Sequence, residues 1–212
     1  MKFAKEQLEL YLVTDSNLVA KENFEAAIEQ AIQGGVTMVQ LREKNLSFQD
    51  FVAKAKKIKQ ICHQYNVPLI INDNLDVALA IDSDGIHIGQ NDLPATLVRQ
   101  KIGPDKILGV STHNLDEALK AKQDGANYLG AGAMFSTATK QDATNLPISK
   151  LQEITTNIDL PVVAIGGINE DNCLQLKNCH LAGIAVVSAI MAKKDIKKAA
   201  KELKNKAKDL YD

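Results

Sequence analysis

Thr37-Met38-Val39-Gln40-Leu41 is a short apolar, partly β-branched run that passes directly into the charged segment Arg42-Glu43-Lys44. A run of this kind, ended abruptly by charge, reads as a strand buried on both faces of a parallel sheet. In barrels and doubly wound sheets alike, the C-terminal end of such a strand opens on a pocket. Just downstream, Phe48, Phe51, Val52, Ala55, Ile58 and Cys62 recur at steps of three and four, with Lys54, Lys56, Lys57 and Gln60 between them. That spacing predicts an amphipathic helix packed on the sheet, with Ser47 as its N-cap. Strand and helix together form one βα unit.

The unit repeats about eight times. Further strands are expected at Leu10–Thr14, Pro68–Ile71, Gly85–Ile88, Ile107–Val110, Tyr128–Ala131, Val162–Ile165 and Gly183–Val187. Asn114 can cap a helix over Leu115 to Gln123 that Gly125 ends, and Gly34-Gly35 can end the helix that starts at Asn23. Eight units in 212 residues leave roughly 26 residues each, a compact (β/α)8 barrel. An open doubly wound sheet often carries a glycine-rich first loop, whereas Thr14-Asp15-Ser16-Asn17 contains no G-x-G-x-x-G. The expected fold class is therefore α/β, a closed TIM barrel. With no linker, low-complexity tract or break in composition, residues 1–212 are expected to form a single domain.

Composition narrows the function. Lys plus Arg number 25 against 26 Asp plus Glu, so no bulk basic field exists to bind nucleic acid by counterion release. Tryptophan is absent and other aromatics are few, which disfavours base-stacking platforms. Met1 to Leu10 is charged and lacks the apolar core of a secretory signal, and the longest near-apolar run, Gly183 to Ala192, is too short to span a bilayer. Cys62, Cys173 and Cys179 form no disulfide or zinc pattern; Cys179-His180 alone falls short of a metal site. A cytoplasmic protein working on small molecules, without nucleic-acid or membrane partners, is expected. A homo-oligomer is left open, since the sequence does not set the oligomeric state. Eight lysines between Lys193 and Lys208 read as the solvated face of the last barrel helix, whose apolar stripe is Ile196, Ala199, Leu203, Ala207 and Leu210.

Polar and glycine residues gather where the strands end. Asp73 and Asp92 follow neighbouring strands, so a barrel brings both to one rim. Two hard oxygen ligands beside cations fit magnesium, which is commonly held by one or two carboxylates plus substrate phosphates. Arg42, Lys44 and Lys140 supply the cations: arginine grips phosphate oxygens bidentately and lysine acts as a movable point charge. Gly166-Gly167 and Ser188 follow the seventh and eighth strands, the usual place for a phosphate bound by loop amides in barrels. Thr137 and Thr139 can add hydroxyl donors from the loop Gly132 to Pro147, whose small and polar residues suggest a mobile lid. His87, between Ile86 and Ile88, reads equally as a core histidine or a functional one. Ser111 has no triad partner visible in the sequence and is not read as a nucleophile. Two anion positions emerge, one with magnesium and one with amides.

At this point Tyr11-Leu12-Val13-Thr14-Asp15, Gln40-Leu41-Arg42-Glu43-Lys44, Asn72-Asp73, Asp84 to Pro94, Gly109-Val110-Ser111, Thr137-Ala138-Thr139-Lys140, Ala164 to Ile168 and Val187 to Ile190 together resemble the thiamine-phosphate synthase family, from about Leu10 to Ile190. The resemblance implies a transferase that joins hydroxymethylpyrimidine diphosphate to a thiazole phosphate, which can be a carboxylated tautomer that loses carbon dioxide, and releases diphosphate. By matched position it implies that Gln40, Leu41, Arg42, Glu43, Lys44, Asn72, Ser111 and Lys140 bind the pyrimidine diphosphate. Asp73 and Asp92 would hold Mg2+, and Thr137, Ala138, Thr139, Gly167, Val187 and Ser188 would bind the thiazole phosphate. Arg42, Lys44, Ser111 and Lys140 are the expected catalytic residues. Phe135-Ser136-Thr137 departs from the family, where proline often precedes the threonine; loop stiffness is what this puts in question. Two other readings stand beside this one: a related barrel that isomerises the thiazole phosphate, and a non-catalytic phosphate-binding barrel. The acid and cation set argues against the first, which needs no diphosphate grip.

Overall fold

The computed structural model describes residues 3–137 and 145–210. Eight parallel strands close into a barrel in chain order: β1 Leu10–Val13, β2 Met38–Leu41, β3 Leu69–Asn72, β4 Gly85–Ile88, β5 Ile107–Thr112, β6 Tyr128–Ala131, β7 Val162–Ile165 and β8 Gly183–Val186. Each strand pairs with its sequence neighbour, and β1 closes on β8 with Tyr11 opposite Ala185. Between the strands run α1 Phe24–Gln33, α2 Phe48–Gln64, α3 Leu75–Ala80, α4 Ala95–Ile102, α5 Leu115–Gln123 and α6 Ile148–Asn157. The seventh unit departs from the regular repeat, crossing from β7 to β8 through a 3-10 turn at Cys173–Leu176. After β8 come a single turn, α7 Ser188–Met191, and the closing helix α8 Ile196–Ala207.

Local chemistry sets the helix ends. Ser47 Oγ accepts from the Asp50 amide and Asn114 Oδ1 from the Glu117 amide, which satisfies a backbone donor that each first turn leaves free. Gly35 and Gly125 both stand at positive φ just beyond α1 and α5, where a side chain would be strained. In α8 the buried stripe is Ile196, Ala200, Leu203 and Ala207; Ala199, expected on that stripe, lies half-buried at its edge. The stripe packs on α1, and the lysines face outward.

Two apolar layers divide every strand by alternation. Leu10, Val39, Leu41, Ile71, Ile86, Leu108, Leu129, Ala164 and Ile184 point outward against the helices, and the three buried cysteines, on α2 and in the β7–β8 crossing, pack in the same layer. Tyr11, Val13, Met38, Ile70, Ile107, Tyr128, Val163 and Ala185 point into the barrel. Leu8 and Phe3 plug the end opposite the site, with Phe3 stacked on the Tyr128 ring at 6.2 Å between centroids. Among the described residues no helix is long and apolar enough to cross a membrane.

Candidate active site

The C-terminal mouth of the barrel is built in tiers. Its floor is a chain of hydrogen bonds across the interior, made by inward-facing residues of five strands. Gln40 Nε2 on β2 donates to the Tyr11 hydroxyl on β1 at 2.7 Å. Tyr11 and Tyr128, from β1 and β6, join hydroxyl to hydroxyl at 2.7 Å. The Tyr128 hydroxyl lies 2.9 Å from His87 Nδ1 on β4, and His87 Nε2 lies 3.0 Å from Ser111 Oγ on β5. Glycine makes the room: a methyl at Gly109 would collide with the Tyr128 ring and His87 Nδ1, and one at Gly130 would stand 3.1 Å from His87 Cε1. Burial pushes both phenol pKa values up, so both tyrosines keep their protons. Burial also lowers His87 to about 4, against a smaller opposite pull from the Asp92 carboxylate, so the imidazole is neutral at pH 7.

Above the floor stands a charged rim. β3 and β4 pair with Asn72 opposite His87, so their C-terminal extensions lie side by side. Asp73 follows β3 in the left-handed conformation at φ 57°, its amide donating to the His87 carbonyl at 2.8 Å. Lys44 Nζ sits 2.6 Å from Asp73 Oδ2. Asp92 Oδ2 accepts from the Gly89 amide at 2.7 Å. Burial, and next the Asp73 carboxylate beside it, hold Asp92 above the usual carboxylate range, although the Gly89 amide pulls the other way. Gln90 Nε2 donates to the Ser111 carbonyl at 2.6 Å, tying this loop to β5. The Arg42 amide donates to the buried Thr14 hydroxyl at 3.1 Å, while the guanidinium of this half-buried residue has no hydrogen-bond or ion-pair partner among the described residues.

Across the mouth, Gly166 and Gly167 turn at φ 100° and 65°. The strand-like run after β6 lies against them: the Met134 amide donates to Ile165 O at 2.9 Å and the Phe135 amide to Gly166 O at 3.0 Å. A side chain at Gly167 would meet the Phe135 carbonyl oxygen at 2.7 Å. Gly167, Asn169, Ser188 and Lys193 help line a cavity of about 210 Å³ at this edge. Val187 is half-buried against the inner barrel layer and Ser188 is exposed at the start of α7.

The structure thus gathers Gln40, Arg42, Lys44, Asn72, Asp73, Asp92 and Ser111 on one side of the mouth and Gly167, Val187 and Ser188 on the other. Thr137 ends the described run after β6, whereas Ala138, Thr139, Lys140 and most of the expected lid lie outside the described residues. Two expected contacts turn away. The Leu41 side chain is buried in the outer layer. The Glu43 carboxylate is taken by Lys54 at 2.6 Å and by the Ser16 hydroxyl, with Lys54 also over the Phe24 ring at 3.6 Å to its centroid. Any binding by these two residues falls to their main chain. Sequence reading placed Tyr11 and Tyr128 on strands, and Tyr11 in a stretch carrying the family resemblance, but gave neither a role at the site. The available signal was their place on strands as polar-tipped aromatics at the same inward phase as Gln40 and His87.

Comparison with known proteins agrees with this geometry. The family profile described as "Thiamine monophosphate synthase" matches residues 10–190. A thiamine-phosphate synthase of Clostridium botulinum (strain Eklund 17B / Type B) is 55% identical over 195 residues, covering 92% of each chain. One from Methanobrevibacter smithii is 52% identical over 196 residues, covering 92% of this chain and 93% of that one. The solved thiamine phosphate pyrophosphorylase of Pyrococcus furiosus superposes with a TM-score of 0.89 at 36% identity, covering 97% of this chain and 98% of the other. On a profile match spanning all eight strands and relatives more than half identical, this chain belongs to the thiamine monophosphate synthase family.

Proposed function

We propose that this transferase joins hydroxymethylpyrimidine diphosphate to a thiazole phosphate, plain or carboxylated, and forms thiamine phosphate and diphosphate, with the carboxylate of the second form leaving as carbon dioxide. One observation carries the reading: the Arg42 guanidinium, without a hydrogen-bond or ion-pair partner among the described residues, stands on the same rim as Lys44, Asp73 and Asp92, opposite the Gly166-Gly167 turn. A guanidinium with no acceptor of its own at a pocket mouth is placed to grip diphosphate oxygens bidentately.

The donor set also fits a magnesium ion. Two carboxylates follow adjacent strands, Asp92 resists ionisation beside Asp73, and Lys44 already places positive charge on Asp73. Asp73 and Asp92 would hold the ion, which would neutralise charge on the diphosphate.

Arg42 and Lys44 bind the diphosphate oxygens and stabilise the charge that develops as the C–O bond breaks and its electron pair stays with the departing oxygen. Lys140 joins them on the strength of the sequence match. The pyrimidine amino group delocalises the positive charge left on carbon. The thiazole nitrogen attacks with a lone pair and forms the new C–N bond, so no residue need act as a general base in that step. Gly167, Ser188 and Thr137 to Thr139 hold the second substrate's phosphate and align the two reactants.

Purified protein given both substrates and magnesium should yield thiamine phosphate, read by fluorescence after oxidation. Interconversion of the thiazole tautomers without product would mark an isomerase. Ligand binding without turnover, and indifference to magnesium, would mark a non-catalytic barrel.

A further inference from the structure

We propose that the chain Gln40–Tyr11–Tyr128–His87–Ser111 is a one-way relay that fixes Gln40 as an acceptor and Ser111 as a donor at the two sides of the substrate pocket. The inference rests on the reading of Gln40 and Ser111 as contacts to an aminopyrimidine diphosphate.

The direction follows from counting protons. Gln40 Nε2 can only donate, so the Tyr11 oxygen accepts from it. Tyr11 keeps one phenolic proton, and the Tyr128 oxygen is the acceptor within reach of it. Tyr128 has then accepted, and its own proton goes to His87 Nδ1. A neutral imidazole carries a single proton, which is left on Nε2 and points at Ser111 Oγ. The serine oxygen has accepted in turn, and its hydroxyl proton is free for a ligand. Run this way, the buried bonds leave no phenol proton stranded. Among the described residues the sole side-chain nitrogen or oxygen fully closed off from solvent and without a partner is Thr112 Oγ1, which lies outside the relay.

The two ends then have opposite character. Gln40 is 4% exposed, and its Oε1 has no partner among the described residues, so it offers an acceptor. An amino group suits it. Ser111 offers a donor, which suits diphosphate oxygens that can only accept. Turning the Gln40 amide over would reverse every bond in the chain, move the His87 proton to Nδ1 and face the Ser111 lone pairs toward the anion. His87, Tyr11 and Tyr128 are positioning residues: they act on substrate through Gln40 and Ser111.

Nitrogen-15 spectra of the imidazole in the full, substrate-free chain test this, with His87 assigned by its loss in His87→Gln. The relay requires the Nε2–H tautomer with Nδ1 as a bare acceptor. Gln40→Glu replaces the donating end by a carboxylate, which only accepts. It should move the His87 proton to Nδ1 without touching His87, and raise KM for the pyrimidine diphosphate about tenfold or more. A wild-type His87 protonated on Nδ1 would overturn the relay. So would a Gln40→Glu protein whose tautomer and KM both match wild type. Wild-type protein that shows the Nε2–H tautomer yet makes no thiamine phosphate would support the relay and sink the proposed reaction.

Discussion

Tyr128→Phe removes one oxygen from the centre of the barrel and leaves the ring in place. Phe3 and Tyr11, whose ring centroids lie 6.2 and 5.9 Å from that of Tyr128, keep their contacts. What goes is the pair of hydrogen bonds to Tyr11 at 2.7 Å and His87 at 2.9 Å. Each is worth about 0.5–1.5 kcal/mol net, and a buried partner left unsatisfied adds its desolvation cost, about 1–3 kcal/mol. Tyr11 is left with a proton and no acceptor, so the sum is about 2–6 kcal/mol. For a chain of this length that is a fall in Tm of roughly 4–24 °C. Urea unfolding of wild type, Tyr11→Phe, Tyr128→Phe and the double variant completes a cycle, with an expected coupling of about 1–2 kcal/mol between the hydroxyls. A loss below about 0.5 kcal/mol, or a coupling near zero, would refute the view that these phenols satisfy each other in a dry interior.

Asp73→Asn and Asp92→Asn should each lower kcat/KM at limiting magnesium by about a hundredfold or more, while their melting temperatures stay near wild type, because an exposed ion pair such as Lys44–Asp73 adds at most about 1 kcal/mol; wild-type turnover in either would contradict the metal assignment. Gly167→Val should raise KM for the thiazole phosphate more than for the pyrimidine diphosphate, since its side chain meets the Phe135 and Ser136 carbonyls at positive φ; equal rises would argue against two anion positions. Stability should fall on acidification. His87 is depressed from 6.5 to about 4 by burial, so its stabilising share is present above 6.5 and is lost as pH falls toward 4, by about 3 kcal/mol. Urea midpoints between pH 4 and 7 should therefore drop more steeply in wild type than in His87→Gln, and parallel slopes would refute this.

The strands were legible because each is an apolar run with polar or glycine boundaries, and all eight stand within two residues of their expected bounds. Arg42, Asp73 and Asp92 were legible because charge right after a buried strand has few places to go but the mouth. The relay was not. With both faces of each strand apolar, no alternation in hydrophobicity tells inside from outside, and Tyr11 and Tyr128 read as ordinary strand aromatics 117 residues apart. Ser111 was expected just past its strand, but β5 runs on to Thr112, and that extension keeps Ser111 in register to face His87. Glu43 was expected at the rim because its neighbours are there; Lys54, on α2, could be seen to claim it only once the helix had folded back.

Calorimetric titration of hydroxymethylpyrimidine diphosphate, with and without magnesium, reaches the central claim most directly. Binding should be at least tenfold tighter with the ion in wild type, and Asp73→Asn combined with Asp92→Asn should erase that difference. Equal affinity in wild type with and without magnesium would contradict a diphosphate site built from these two carboxylates and their cations.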